Sequence, residues 1–354
     1  LKYLNESLFI FLYLRRGKGM KSGKDKHILS KLVAATLMGT VGISIYTVDA
    51  ATNLDSYSVG TNAEATGSSN AIGASAKADS FSNALGTEAN AKSGGIAIGA
   101  NAQADNAAGK SGSIAIGRDS KATQGGIAIG QDAKSEGNQT IVIGNKTVTV
   151  NNATVVGLGS NVTAIGGTAI GASTVADSQA TAVGYGSKAE GANSIALGNG
   201  ANTAKTGGIA IGDGAASSES ASIAIGQNVT NSGSNSVALG SSAGVSKIQG
   251  VAIGKSAKVD GEYGVALGTS AQVTTDNSIA IGRSANVSGA SGLALGNGAT
   301  ATVADAVALG SGSEAKRAAG GYGYIPQSGD KTGFIGRLGG ITPNREAVFN
   351  AQRD

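Results

Sequence analysis

Catalysis and metal binding need side chains that titrate or coordinate near neutral pH, and this sequence is poor in them. His27 is the only histidine and there is no cysteine, which leaves one imidazole and no thiolate for acid–base, nucleophilic or metal chemistry. His27 also falls in the N-terminal stretch read below as a leader. Acyltransferases built on β-helices use six-residue periods and typically a catalytic histidine, and neither is found here. Calcium-binding rolls need Gly-Gly-x-Gly-x-Asp at nine-residue spacing; Gly207-Gly208 and Gly94-Gly95 lack the acid ladder that should follow. Ice-binding solenoids need ordered threonine rows, whereas the variable columns here mix Lys, Gln, Asn, Glu and Thr. No glycine-rich turn completes Gly-x-x-x-x-Gly-Lys-Ser/Thr, so these segments read as turns and not as phosphate cradles. No enzymatic activity, catalytic residue, metal or cofactor is expected.

Glycine and small aliphatics dominate instead. Of 354 residues 58 are Gly and 2 are Pro; aromatics are 4%, charged residues 14%, and the apolar 40% is mostly Ala with Ile, Leu and Val. Such a set cannot fill a thick core but can fill a thin one. The formal charge of +4 comes from the N-terminus. Residues 1–50 hold eight Lys/Arg against three acids, leaving 19 basic and 20 acidic residues beyond them. The body is therefore near neutral, and no nucleic-acid partner is expected.

The N-terminal basic stretch has the layout of an export signal. Met20 is followed by Lys21, Lys24, Lys26 and Lys31, then the apolar run Leu32 to Tyr46, then Val48-Asp49-Ala50. A secretory signal peptide is expected over residues 20–50. Residues 1–19 read as a non-native upstream extension and 51–56 as a short linker. The apolar run is shorter than the roughly 20 residues of a spanning helix, so no membrane span is expected in the mature chain.

From residue 57 to 315 the chain repeats. The unit is aliphatic–Ala–aliphatic–Gly, with marker glycines from Gly60 to Gly310; from Gly184 onward every interval is 14, and earlier ones are 13 or 14, save 18 between Gly99 and Gly117. The residue before each of the 19 markers is Ile, Leu or Val. The residue two before it is Ala in 16 copies, the others being Ser58, Val142 and Val155. Small residues recur three and five past the glycine. Residues two apart share one face of a strand, and Gly admits the positive φ of a tight turn. Each unit therefore reads as two short strands and two turns. One such coil cannot bury its apolar face, so coils must stack into a solenoid. The fold class expected is an all-β parallel roll of about 19 coils of 13–14 residues.

The strict alanine column has two readings. It packs a narrow second layer of the same chain, or it lets sister chains approach closely. The second is favoured, which makes Ala196, Ala210, Ala224, Ala238, Ala252, Ala266, Ala280, Ala294 and Ala308 the expected contacts of a homotrimer.

Phase breaks locate irregularities. Five extra residues between Asn101 and Ser111 predict a surface loop. From Lys146 to Gly171 the register drifts, with either Gly166 or Gly171 as the marker, and a bulge or altered coil is expected. Asn70 and Asn83 replace the outer aliphatic residue and predict a frayed or polar cap. Beyond Lys316 the repeat stops, and residues 316–354, which hold both prolines, read as a capping or partly disordered tail.

The segments Asn193-Ser194-Ile195-Ala196-Leu197-Gly198, Asn235-Ser236-Val237-Ala238-Leu239-Gly240 and Asn277-Ser278-Ile279-Ala280-Ile281-Gly282 resemble the head repeats of YadA-like trimeric autotransporter adhesins. The resemblance covers roughly residues 57–315. It implies a left-handed β-roll, an intertwined homotrimer, display on a Gram-negative outer membrane, and adhesion to host matrix proteins such as collagen, to host cells or to other bacteria. The neck, coiled-coil stalk and membrane-anchoring barrel usual in that family are not visible, so a fragment, a truncated frame or a secreted head is expected. A phage tail fibre or surface-layer protein could be built from similar coils, but a tail fibre needs no export signal. Candidate ligand contacts are Asn193, Ser194, Asn235, Ser236, Asn277, Ser278, Arg283 and Lys255, acting as many weak repeated contacts.

Overall fold

The computed structural model describes residues 56–317, apart from 107–111 and 149. The expected leader, residues 107–111 of the expected loop at 101–111 and nearly all of the tail lie outside the described residues.

Among the described residues every regular element is a strand. Each repeat gives a first strand ending just before its marker glycine, such as Ile279–Ile281, and a second strand starting four residues past it, such as Asn286–Val287. Like residues stack on like in parallel register: Val265 on Ile279, Ala266 on Ala280 and Leu267 on Ile281. The chain forms two units, Leu1–Asn152 and Ala153–Asp354. In the first, the first strands from Tyr57–Val59 to Ile141–Ile143 make one parallel ladder and seven second strands make another. In the other, twelve first strands run from Thr154–Val156 to Val307–Leu309, and twelve second strands from Asn161–Val162 to Glu314–Ala315. Each unit is thus a parallel β-solenoid.

The core lies between the two ladders of one chain and is very thin. The middle residue of the first strand points inward, as do the residues three and five past the glycine; Ala280, Ala285 and Val287 are all 0% exposed. No fully buried side chain among the described residues exceeds valine in volume. The narrow gap between the ladders therefore explains the alanine column without a second chain. This corrects the expected trimer contacts: Ala196, Ala210, Ala224, Ala238, Ala252, Ala266, Ala280, Ala294 and Ala308 are all within 1% of complete burial inside their own chain. They have no surface left for a partner. The aliphatic residues on either side of each alanine face outward instead.

The marker glycine is required twice over. Gly268 has φ of +135°, and a Cβ there would lie 2.5 Å from the carbonyl oxygen of Gly282 in the next coil. The turn at 13–14-residue pitch closes only where that column is bare. In the opposite turn, Asn193, Asn235 and Asn277 sit at φ of 53–55°, a left-handed conformation that Asn tolerates better than most residues.

Two expectations about phase are resolved. Gly171, with φ of +130°, occupies the marker position and Gly166, with φ of +77°, belongs to the preceding turn. Asn70 and Asn83 are not frayed: both begin regular strands in register, and the Asn70 side-chain amide donates to Asn83 Oδ1 at 2.8 Å.

Candidate functional site

No buried reactive cluster exists among the described residues, and no group of three or more His, Cys, Asp or Glu is placed to hold a metal. What the fold offers is surface, in two columns of different chemistry. The alternation that sends alanine inward sends its neighbours outward, so each first ladder displays two outward columns that are aliphatic in most coils, with Tyr57, Asn70, Asn83, Thr154, Thr168 and Thr181 as exceptions in the first of them. In the second unit Ile195, Leu239, Ile253, Ile279, Leu295 and Leu309 are 37–44% exposed. The second ladder and the turns display polar residues such as Lys188, Thr230, Lys258 and Gln272, all exposed.

The expected ligand contacts divide by the same alternation. Asn193, Asn235, Asn277, Lys255 and Arg283 are exposed, and Arg283 Nε donates to Asn297 Oδ1 at 3.3 Å. Ser194, Ser236 and Ser278 are at most 1% exposed and are removed from the candidate surface. Thr203 Oγ1 donates to Ser194 Oγ at 2.8 Å. Ser236 Oγ donates to Asn231 Oδ1 and to the Gly233 carbonyl, while Asn231 Nδ2 donates to the carbonyls of Ile223, at 2.9 Å, and Ser236, at 3.1 Å. Ser278 Oγ donates to the Asp276 carbonyl at 3.0 Å. These hydroxyls satisfy core polar groups that would otherwise be orphaned. The three Asn side chains lie on every third coil of one edge, so they are not adjacent.

Some of the charges on the outer face pair with one another. Lys77 meets Glu64 at 3.3 Å, Lys121 meets Glu136 at 3.2 Å, and Lys258 meets Asp260 at 2.8 Å. Partial burial raises the Asp260 pKa, but hydrogen bonds from Lys258 and Ser246 and the Lys258 charge outweigh it, and the carboxyl is held below its ordinary value. Such exposed pairs contribute little to stability.

The outward aliphatic columns are the feature that the alanine argument missed. Their signal was present in the sequence. Three columns of small residues, one before the glycine and two after it, are enough to face each other in one chain, which leaves the larger aliphatics outside.

The YadA head domain repeat matches residues 124–147, 178–201, 232–257, 260–285 and 288–313. No curated protein sequence matches the chain. Among solved structures, the collagen-binding domain of the Yersinia adhesin YadA aligns at 29% identity over 43% of this chain and 69% of that one, with a TM-score of 0.25. The repeat matches, and not that superposition, carry the assignment. They fall in phase with the coils, each stretch running across two first strands. What the matched coils build is a YadA-like head region.

Proposed function

We propose that this chain is the head of a surface adhesin that works as a homotrimer and binds host matrix proteins, collagen among them, or cell surfaces. The carrying observation is the division of each solenoid into an apolar outer face and a polar one. Twelve first strands in the second unit, about 4.8 Å apart and about 10 Å wide, give an aliphatic face on the order of 600 Å². Monomers rarely leave a contiguous apolar surface of more than a few hundred Å², and about 800 Å² per partner is usual for a stable interface. The face has no charge to fit a different partner and repeats with the chain's own period, which suits further copies of itself. Three such faces meeting on an axis shield one another from water and leave the polar ladders outside. Those ladders then repeat every coil and on three sides, so weak contacts combine by avidity. In this reading the leader at 20–50 directs export and the head acts at the cell surface.

The test is sedimentation of the folded chain followed by a binding screen against collagen, other matrix proteins and whole cells. A trimer that binds one of these surfaces is expected. A stable monomer removes the assembly, and a trimer that binds none of them removes the adhesive role.

A further inference from the structure

The core of the second unit changes chemistry along the stack. The residue five past the marker glycine points inward. In successive coils it is Thr203, Ser217 and Asn231, then Val245, Val259, Val273 and Val287, each at most 1% exposed. Three consecutive coils thus place a polar side chain where the next four place a valine. The polar groups are bonded inside the core. Thr203 Oγ1 donates to Ser194 Oγ, the hydroxyls of Ser217 and Ser222 share a hydrogen bond, and Asn231 bonds both Ser236 and the Ile223 carbonyl. One atom in this stretch is not. Asn202 Oδ1, next to Thr203, is one of two buried side-chain polar atoms without a partner among the described residues. The backbone ladders do not differ between the two stretches. Ala216 N donates to the Val229 carbonyl and Ser218 N to that of Asn231; in the valine coils Lys258 N donates to the Ala271 carbonyl and Asp260 N to that of Val273, all at 2.8 Å. What separates them is the filling of the core.

That filling sets local stability. A buried valine stabilises in proportion to the apolar area it takes out of water. A buried hydrogen bond replaces one that the open chain makes with water, so its net gain is smaller, and a buried polar atom with no partner is a net loss. Each coil of a solenoid contacts chiefly its neighbours, so its stability is local as well, and a weak stretch opens while the coils on either side stay folded. We infer that residues 199–236 are a soft segment built into the solenoid: its three polar-cored coils open together in the native state, while the valine-cored coils that follow stay closed. The inference is independent of the proposed assembly and ligands, since it compares two stretches of one chain. The valine coils also show how the segment would be stiffened. A Cβ at Gly250 would lie 2.6 Å from Val245 Cγ1 and 3.1 Å from Val259 Cγ1, so a valine core calls for glycine five positions on. Ser217→Val with Ser222→Gly, and Asn231→Val with Ser236→Gly, copy that pairing into two of the three polar coils.

The test is hydrogen–deuterium exchange of the full chain at neutral pH, read by mass spectrometry on peptides from 199–236 and from 244–287, each relative to its own unfolded-chain rate. The strand amides of the first stretch are expected to exchange at least about tenfold faster than those of the second. The variant carrying all four substitutions is expected to slow the first stretch toward the rate of the second and to leave the second unchanged. Equal exchange in the two stretches of the parent chain, or slower exchange in the polar coils, overturns the inference. A folded variant that keeps the fast exchange at 199–236 also overturns it, because core filling is then not the cause. So does a variant less stable than the parent chain in urea, or one that does not fold, because the polar pairs are then the stronger filling.

Discussion

Gly264 lies flat against Val259. A Cβ on the glycine would come within 2.7 Å of Val259 Cγ1 and 2.9 Å of Val273 Cγ1. The same relation, a core residue and the one five positions on, holds for Val245 with Gly250 and Val287 with Gly292. In two coils where the first member is polar the second changes too: Ser217 and Ser222 hydrogen-bond, as do Asn231 and Ser236. These coils thus fill a small shared volume from two positions, with Val plus Gly or with two bonded polar groups. Overpacking such a layer costs about 1–3 kcal/mol. Gly264→Ala is expected to destabilise the solenoid by that amount in urea unfolding, and Val259→Ala in the same chain to recover part of it. A neutral Gly264→Ala would refute the shared-volume account.

The reversal of the alanine column gives opposite outcomes at adjacent residues. Ala252 is 0% exposed and Ile253 is 38% exposed. Ala252→Lys forces a charge into a space shaped for a methyl group and should cost more than about 3 kcal/mol, read as loss of the β-sheet circular dichroism signal at ambient temperature. Ile253→Lys keeps that signal and shifts the sedimenting species from trimer toward monomer. If Ile253→Lys unfolds the chain while Ala252→Lys only dissociates it, the faces have been assigned the wrong way round.

Much of this fold could be read before any coordinates. The period, the two strands per coil, the glycine turn and the in-phase stack all follow from columns of residue types. Handing inside and outside to the right columns could not be done from alternation alone, because Ala–x–Ala and Ile–x–Ile patterns alternate equally well. The deciding quantity is the gap between the two ladders. It is set by columns far apart in the coil, such as Ala280 against Ala285 and Val287, which are all fully buried. The buried serines were misread for a related reason. Ser194, Ser236 and Ser278 look like turn residues, but they fall on the inward side of the turn, where they bond the core.

Asp260 gives a pH dependence with a defined sign. Its folded-state pKa is held down by Lys258 and Ser246, with Ser246 Oγ donating to Asp260 Oδ1 at 2.7 Å. A depressed carboxylate contributes stability that is present above the unfolded value, about 3.9, and is lost as pH falls through the folded value. Lys258 is more than half exposed, so solvent screening keeps the pair's contribution below about 1 kcal/mol. Asp260→Asn is expected to lower the unfolding midpoint slightly at pH 7 and to match the parent chain near pH 2. A difference that grows on acidification would contradict the direction of the shift.

Spread binding makes a prediction that a discrete site does not. Residues 237–278 form three whole coils, and their removal would set Ile279 directly after Ser236, placing one first strand where another had been, since Val237, Val251, Val265 and Ile279 occupy one column in register. Because each coil contacts chiefly its neighbours, the shortened solenoid should fold. The deletion removes Lys255 and Asn277 together with three of the twelve coils in the second unit. If many weak contacts act together, affinity for the surface identified by the screen falls by a modest factor and the number of copies bound per unit area changes little, because every remaining coil still presents the same columns. Point substitutions at the exposed candidates, Lys255→Ala or Arg283→Ala, then change binding less than the three-coil deletion does. Complete loss from either point substitution, with the trimer intact, would place the activity in one discrete site and defeat the avidity mechanism.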